Sequence, residues 1–317
     1  MPSKTVLITG CSEGGIGDAL AREFRARGVT VFATARSVSK MSTLEPLGVH
    51  TLELDVTSEP SIAAAVEAVR AATDGHLDIL INNAGVNHVQ PFLDTGLADM
   101  RRVFDTNVIG VLAVTQALAP LLIASRGVVA TIGSVNAVFN PPYQVAYNAS
   151  KAAVLAVGDS LRVELAPFGV RVVTVVTGSV RSKLFDNADA ACRVPPDSLY
   201  YPLKDRIEKR DFLDNARWTD TEAYARQVVS DLLKEKPSPV LWRASFSFVA
   251  RLLDTIAWPG MLVGLAPLSH LHFPMLTGTG QNLPEAYWAG NPQSPKQGIG
   301  VKLRGCLLHT CPTLPRS

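Results

Sequence analysis

The chain has 317 residues, is 47% hydrophobic and carries a formal net charge of +2, enough for one large α/β domain with a well-buried core. A balance so near neutral argues neither for nor against an acidic small substrate, and no Lys/Arg-rich block offers a nucleic-acid surface. The four cysteines, at 11, 192, 306 and 311, are not spaced as metal ligands, so no metal is expected, and they fit a reducing compartment.

The chain opens on an apolar, β-branched run, Thr5 to Thr9. The loop Gly10-Cys11-Ser12-Glu13-Gly14-Gly15-Ile16-Gly17 follows, then an amphipathic stretch carrying Ala19, Leu20 and Phe24 and ending at Gly28. Strand, glycine-rich turn and helix in that order bring backbone N–H groups close to a pyrophosphate. Cys11, inside that loop, is read as either oxidation-sensitive or a small apolar filler. The first strand starts by Thr5, which leaves no room for a signal or transit peptide, so a cytosolic location is expected.

The next strand, Val29 to Ala35, ends at Arg36 with no carboxylate. An acidic residue there binds a ribose 2′-hydroxyl and a basic one accommodates a 2′-phosphate. Arg36 therefore points to NADP(H). Glu59–Ala72 reads as a helix with Ala63, Ala65, Val66 and Val69 on its apolar face. Leu77–Asn82, Val128–Ile132 and Val170–Val176 are nearly continuous apolar runs, as expected of parallel strands covered on both sides. There are no internal repeats.

Tyr147 and Lys151 fall one helical turn apart in Tyr147-Asn148-Ala149-Ser150-Lys151. An ammonium beside a phenol favours phenolate and lowers the phenol from its ordinary pKa of about 10. A Tyr tuned that way exchanges a proton with a carbonyl oxygen near neutral pH.

Beyond Val176, residues 181–218 are polar and irregular. Phe185, Leu199, Tyr200, Tyr201 and Phe212, with Phe139 and Tyr143, are candidates for an apolar pocket. Arg181, Lys183, Lys204, Arg206, Lys209 and Arg210 add positive charge that would steer a phosphorylated substrate or simply be solvated. Thr219-Asp220-Thr221-Glu222 resembles a capping box opening a helix to about Lys234, and Val240–Trp242 is the last predicted strand. The apolar segment 246–275 is broken by Pro259, Gly260, Gly264 and Pro267. Its longest run without an ionisable residue, Thr255 to Ser269, is shorter than the roughly 20 residues a spanning helix needs. Contact with an endoplasmic reticulum or lipid-droplet surface and packing against the body or a partner subunit are the two readings. Residues 276–317, rich in Gly and Pro and without periodicity, are expected to be a disordered tail.

Taken together, Thr9-Gly10, Gly15-Ile16-Gly17, Asp55-Val56, Asn82-Asn83-Ala84-Gly85, Asn107, Ser134, Tyr147 and Lys151 resemble a classical short-chain dehydrogenase/reductase over roughly residues 4 to 245. The resemblance implies a doubly wound parallel α/β sheet of Rossmann type, a single domain spanning 1–245 with a substrate lid at about 181–218 and a C-terminal extension. It implies that Ser134 binds the substrate carbonyl, that Tyr147 delivers the proton, and that Lys151 binds the nicotinamide ribose and lowers the Tyr147 pKa. Asn107 would hold a relay water. Gly10, Ser12, Gly15, Ile16 and Gly17 would line the diphosphate, Asp55 and Val56 the adenine, Asn83 and Gly85 the cleft, and Val180 and Ser182 the nicotinamide amide. Two departures stand out. The glycine loop has one extra residue, so Gly14 and Gly15 compete for one role, and Thr177-Gly178 replaces the usual Pro-Gly.

Within the family, the stretches Tyr200–Leu203 and Trp218–Leu233 and the run after Val240 are similar to fungal and yeast NADPH-dependent 1-acyldihydroxyacetone-phosphate reductases. The similarity overlaps with hydroxysteroid and retinol dehydrogenases and with fungal polyketide or terpenoid ketoreductases. Reduction of a ketone on a hydrophobic substrate is the expected chemistry. A catalytically idle NADP(H)-binding protein is the alternative of another class. The resemblance also implies a homodimer or homotetramer built through the helices carrying Asn107 and Tyr147.

Overall fold

A computed structural model describes residues 3–184, 193–210 and 217–256. Seven strands form one sheet: β1 (Thr5–Thr9), β2 (Thr30–Ala35), β3 (His50–Glu53), β4 (Ile79–Asn82), β5 (Val128–Ile132), β6 (Arg171–Thr177) and β7 (Val240–Arg243). Their spatial order is β3-β2-β1-β4-β5-β6-β7, with every neighbouring pair parallel.

Side chains alternate across a strand, so β1 sends Val6 and Ile8 to one face and Leu7 to the other. The first face packs on α1 (Ile16–Ala26), through Leu20 and Phe24. The second packs on α2 (Glu59–Thr73), through Ile62, Val66 and Val69. Next come α3 (Leu97–Phe104), a π turn (Asp105–Ile109) and α4 (Gly110–Ser125), whose Val114, Leu118 and Leu121 join the second layer. The short α5 (Asn136–Phe139) leads to the long α6 (Val145–Leu165). After β6 come α7 (Lys204–Lys209), α8 (Thr221–Leu232) and α9 (Ser247–Ile256). Tyr224 and Val228 of α8 complete the first layer. Burial on both faces is why β1, β4, β5 and β6 are built mainly of Val, Leu and Ile, with threonine as the commonest polar residue.

Strand order reverses between β1 and β4, which opens a crevice beyond their carboxyl ends, where open α/β sheets bind ligands. Gly10 leaves β1 and Asn83 leaves β4 at that point.

The predicted capping box is corrected. The α8 cap is Asp220, whose carboxylate accepts the Ala223 N–H at 2.8 Å. Thr219 is drawn into sheet-like pairing instead: its N–H donates to the Ser179 carbonyl and its hydroxyl bonds that of Ser245. Glu222 turns outward to Arg226. The helix stops at Leu232, and Lys234 folds back onto Asp231. Phe185, Phe212, Cys192, Cys306, Cys311 and everything beyond Ile256 lie outside the described residues.

Candidate active site

The glycine loop is shaped by contacts that leave no room for side chains. Gly10 has φ +74°, and a Cβ on it would come within 2.8 Å of the Ala84 Cα. A Cβ on Gly17 would strike the Gly10 carbonyl and the Asn83 amide. Those contacts hold the start of α1 against the ends of β1 and β4. The competition between Gly14 and Gly15 resolves by geometry: Gly14 takes φ +74°, whereas Gly15 caps α1 in extended backbone. Gly15 N–H closes the turn onto the Ser12 carbonyl at 3.1 Å, and Gly14 N–H donates to Asp18 Oδ2 at 2.9 Å. Ile16 packs on the core from below.

Thr9 ties this loop to the next. Its hydroxyl accepts the N–H groups of Asn83 (3.0 Å) and Ala84 (2.9 Å), while the Asn83 amide donates to the carbonyls of Thr9 and Gly10. At the opposite edge, Arg36 is exposed just past β2. Asp55 is held below its ordinary pKa, first by the Thr57 N–H, then by the Thr57 hydroxyl, with the Arg36 charge a smaller contribution. Val56 is buried against Gly110, at the start of α4.

Ser134 sits two residues past β5, with Tyr147 and Lys151 on the first turns of α6. All three are buried, and the Ser134 hydroxyl acts on the Tyr147 phenol to favour its ionisation. The Lys151 ammonium lies 5.7 Å from the Tyr147 ring centroid and donates to the Ile132 carbonyl at 2.9 Å. A Cβ on Gly85 would lie 3.9 Å from the Lys151 Nζ, which places the end of β4 beside the catalytic helix.

The expected lowering of the Tyr147 pKa is not found in the protein's own field. Burial pushes the phenol up to about 12, with the Ser134 hydrogen bond pulling the other way. Burial also pushes Lys151 down to about 8. The ammonium bonds a carbonyl rather than the phenol, so desolvation wins at both groups. Cys11 is likewise corrected as an oxidation site. It is fully buried with its thiol on the Ile8 carbonyl, and burial raises its pKa to about 12, so the reactive thiolate is suppressed.

Asn107 lies in the π turn between α3 and α4. Its side chain accepts the Val86 N–H at 2.8 Å and donates to the Val86 carbonyl (2.9 Å) and the Ser150 hydroxyl (3.0 Å). Ser150 passes the bond on to the Tyr147 carbonyl at 2.7 Å. The Asn107 amide therefore joins three segments, with one lone pair of its oxygen left over. Thr9 and Ser150 have structural roles at the site that the motif reading left unassigned. Their signal was a small polar residue inside an otherwise apolar strand or helix face.

Past β6, Gly178 meets the backbone of residue 245 so closely that a Cβ would collide with the Ser245 carbonyl. Thr177 bonds the Tyr224 hydroxyl at 2.7 Å. Buried Val180 bridges to Thr219, and Ser182 is half-buried just beyond. Nearby, Tyr143 holds φ +63°, a rare conformation for a bulky residue. Its carbonyl accepts the Gln90 N–H at 2.8 Å, and its ring meets Tyr200 edge-on at 6.1 Å between centroids. Val89, Val194 and Ile207 complete that cluster. Phe139 packs on Val135 and Val176 instead, and Leu199 and Tyr201 are exposed.

Residues 4–193 match the family described as short chain dehydrogenase. The chain belongs to this family. As a short-chain dehydrogenase it is an oxidoreductase, and its sequence is 44% identical over 238 residues to the short-chain dehydrogenase ptmH of Penicillium ochrochloron, covering 74% of this chain and 87% of that one. It is also 44% identical over 209 residues to an NADPH-dependent 1-acyldihydroxyacetone phosphate reductase of Schizosaccharomyces pombe, covering 64% and 70% respectively. Among solved structures, a short-chain dehydrogenase of Streptomyces avermitilis superposes with a TM-score of 0.70 at 29% identity, covering 85% of this chain and 98% of that one.

Proposed function

We propose that this short-chain dehydrogenase reduces a ketone on a hydrophobic, lipid-like substrate to a secondary alcohol, using NADP(H). The observation that carries the reading is the buried Ser134–Tyr147 hydroxyl pair with Lys151 beside the Tyr147 ring, set next to a glycine loop in which a Cβ on Gly10 or Gly17 would collide with the ends of β1 and β4. The cradle fits a dinucleotide. Gly10, Ser12, Gly15, Ile16 and Gly17 would hold its diphosphate, Asp55 and Val56 its adenine end, and Arg36 a 2′-phosphate. Asn83, Gly85, Val180 and Ser182 would line the nicotinamide end, and Lys151 and Tyr147 would take the ribose there. The cofactor supplies the hydride.

Ser134 would orient the carbonyl oxygen and Tyr147 would donate a proton to it. A phenol pushed up to about 12 keeps its proton at neutral pH, which suits donation in the reductive direction. Lys151, still an ammonium below about pH 8, would stabilise the charge left on Tyr147. Asn107, through Val86 and Ser150, positions the loop and helix that carry these groups and would hold a relay water.

The Tyr143–Tyr200–Val89–Val194–Ile207 cluster supports an apolar substrate. The Schizosaccharomyces pombe relative supports acyl-dihydroxyacetone phosphate as that substrate, and turnover that depends on the phosphate would distinguish it from an unphosphorylated ketone. A cytosolic enzyme touching a membrane through 246–275 is part of the same reading, supported by exposed Phe248, Val249 and Leu252 on α9. Self-association is supported by exposed Ile109, Leu112 and Val163.

The deciding variant is Tyr147→Phe. Turnover should fall by about two decades or more while NADPH still binds. Wild-type turnover in that variant would sink the mechanism.

A further inference from the structure

The side chain of Lys183 lies across the glycine loop. A Cβ on Gly14 would come within 2.8 Å of the Lys183 Cε and 3.2 Å of its Nζ. A side chain at Gly14 would push the lysine aside, and Gly14 also needs its φ of +74° to make the turn. Gly14 belongs to the eight-residue loop that carries one residue more than the common pattern of the family.

The arrangement is electrostatically odd by itself. The loop ends in the N-terminus of α1, an eleven-residue helix whose first N–H groups present partial positive charge. A lysine laid beside that end brings a second positive charge to it. Asp18, the acidic residue of the first turn, is paired with Arg22 and accepts the Gly14 N–H rather than pairing with the lysine. An anion between the ammonium and the helix end turns this repulsion into two attractions.

The lysine is also anchored. Three residues upstream, Val180 bridges to Thr219; the Arg181 N–H donates to the Thr219 carbonyl at 3.0 Å, and the Thr221 hydroxyl donates to the Arg181 carbonyl. The segment that follows β6 is thereby pinned to the start of α8, and Lys183 leaves it toward the glycine loop.

We propose that Lys183 is a diphosphate clamp, closing over the dinucleotide from the side opposite the α1 N-terminus. The inference rests on the nucleotide-binding reading above and adds a residue from the far half of the sheet. It separates Lys183 from Arg36 by chemistry. Arg36 faces a group found only in NADP(H), whereas Lys183 faces the diphosphate that NADPH and NADH share.

The test is direct binding of NADPH and NADH, each followed by nicotinamide fluorescence with the full chain, at two salt concentrations. Lys183→Met keeps the apolar stem and removes the charge; Lys183→Arg restores the charge. Lys183→Met should raise both dissociation constants by about tenfold and equally, and should flatten their dependence on salt. Lys183→Arg should stay near wild type. Unchanged constants in Lys183→Met would overturn the clamp. A loss confined to NADPH would overturn it too, by making Lys183 a 2′-phosphate ligand. If wild-type protein bound neither nucleotide, the nucleotide reading itself would fail, an outcome distinct from both.

Discussion

The two halves of the site are built by different means. The half around β1, β2 and β4 is made of backbone: glycines at collision distance, N–H groups on the Thr9 hydroxyl, and the end of α1 pressed against Asn83. The half around Tyr143 and residues 193–210 is made of side chains on short turns, with Leu199, Tyr201 and Leu203 partly in solvent. A backbone cradle accepts one ligand shape and tolerates almost no substitution. A side-chain wall exchanges members at small cost. On the proposed reading the first half would hold the cofactor, Ser134, Tyr147 and Lys151 stand between the halves, and the second would set substrate choice.

Substitutions should separate the halves in that order. Gly17→Ala drives a methyl into the Gly10 carbonyl and the Asn83 amide. Nucleotide affinity should drop on the order of a hundredfold, since displacing a positioned backbone by an ångström costs about that much; calorimetric titration would show it. Retained affinity would break the claim that the cradle is rigid. Arg36→Asp should lower NADPH affinity by about one to two decades while sparing NADH, measured as the ratio of the two dissociation constants.

The pH profile probes the junction of the halves. Burial puts Lys151 at about 8, below the ordinary lysine value. The ammonium is the working form, so reductive turnover should hold below that pH and fall above it, by about tenfold per unit. The stability sign is opposite. A lysine with a depressed folded pKa is a burden while charged, so its cost to stability is relieved as pH rises from about 8 toward 10.5. A thermal melt series over that range checks the second sign, provided other groups are matched by a Lys151→Met control. The smallest effect belongs to the wall: Tyr200→Ala removes the edge-on partner of Tyr143 and should raise KM for a bulky ketone by about two- to tenfold, leaving kcat for a small one unchanged. A shift in cofactor affinity instead would show that the halves are coupled.

Strands β1, β4, β5 and β6 were legible because burial on both faces favours runs of β-branched and aliphatic residues that only a few threonines interrupt. β3 was not placed: at the sheet edge it pairs only with β2, and its residues His50 to Glu53 are partly exposed. The site residues were legible as types at fixed spacings, and Ser134, Tyr147 and Lys151 do converge. What those residues bond to was not legible. The Asn107 amide is committed to Val86 and Ser150, partners that only tertiary folding brings near. Thr219 was misread as a cap because its competing partners, Ser179 and Ser245, are 40 and 26 positions away in the chain. The direction of the Tyr147 shift was missed for a similar reason. Spacing along a helix reports which charges are near but not how much water has been removed.

Gly178 lies against the Ser245 carbonyl, and its N–H donates to the Arg243 carbonyl at 2.9 Å. The segment that follows β6 is thus propped from behind by residues far later in the chain than the glycine loop. A product truncated before β7 would carry every motif residue yet leave Gly178 without the carbonyls it packs and bonds against.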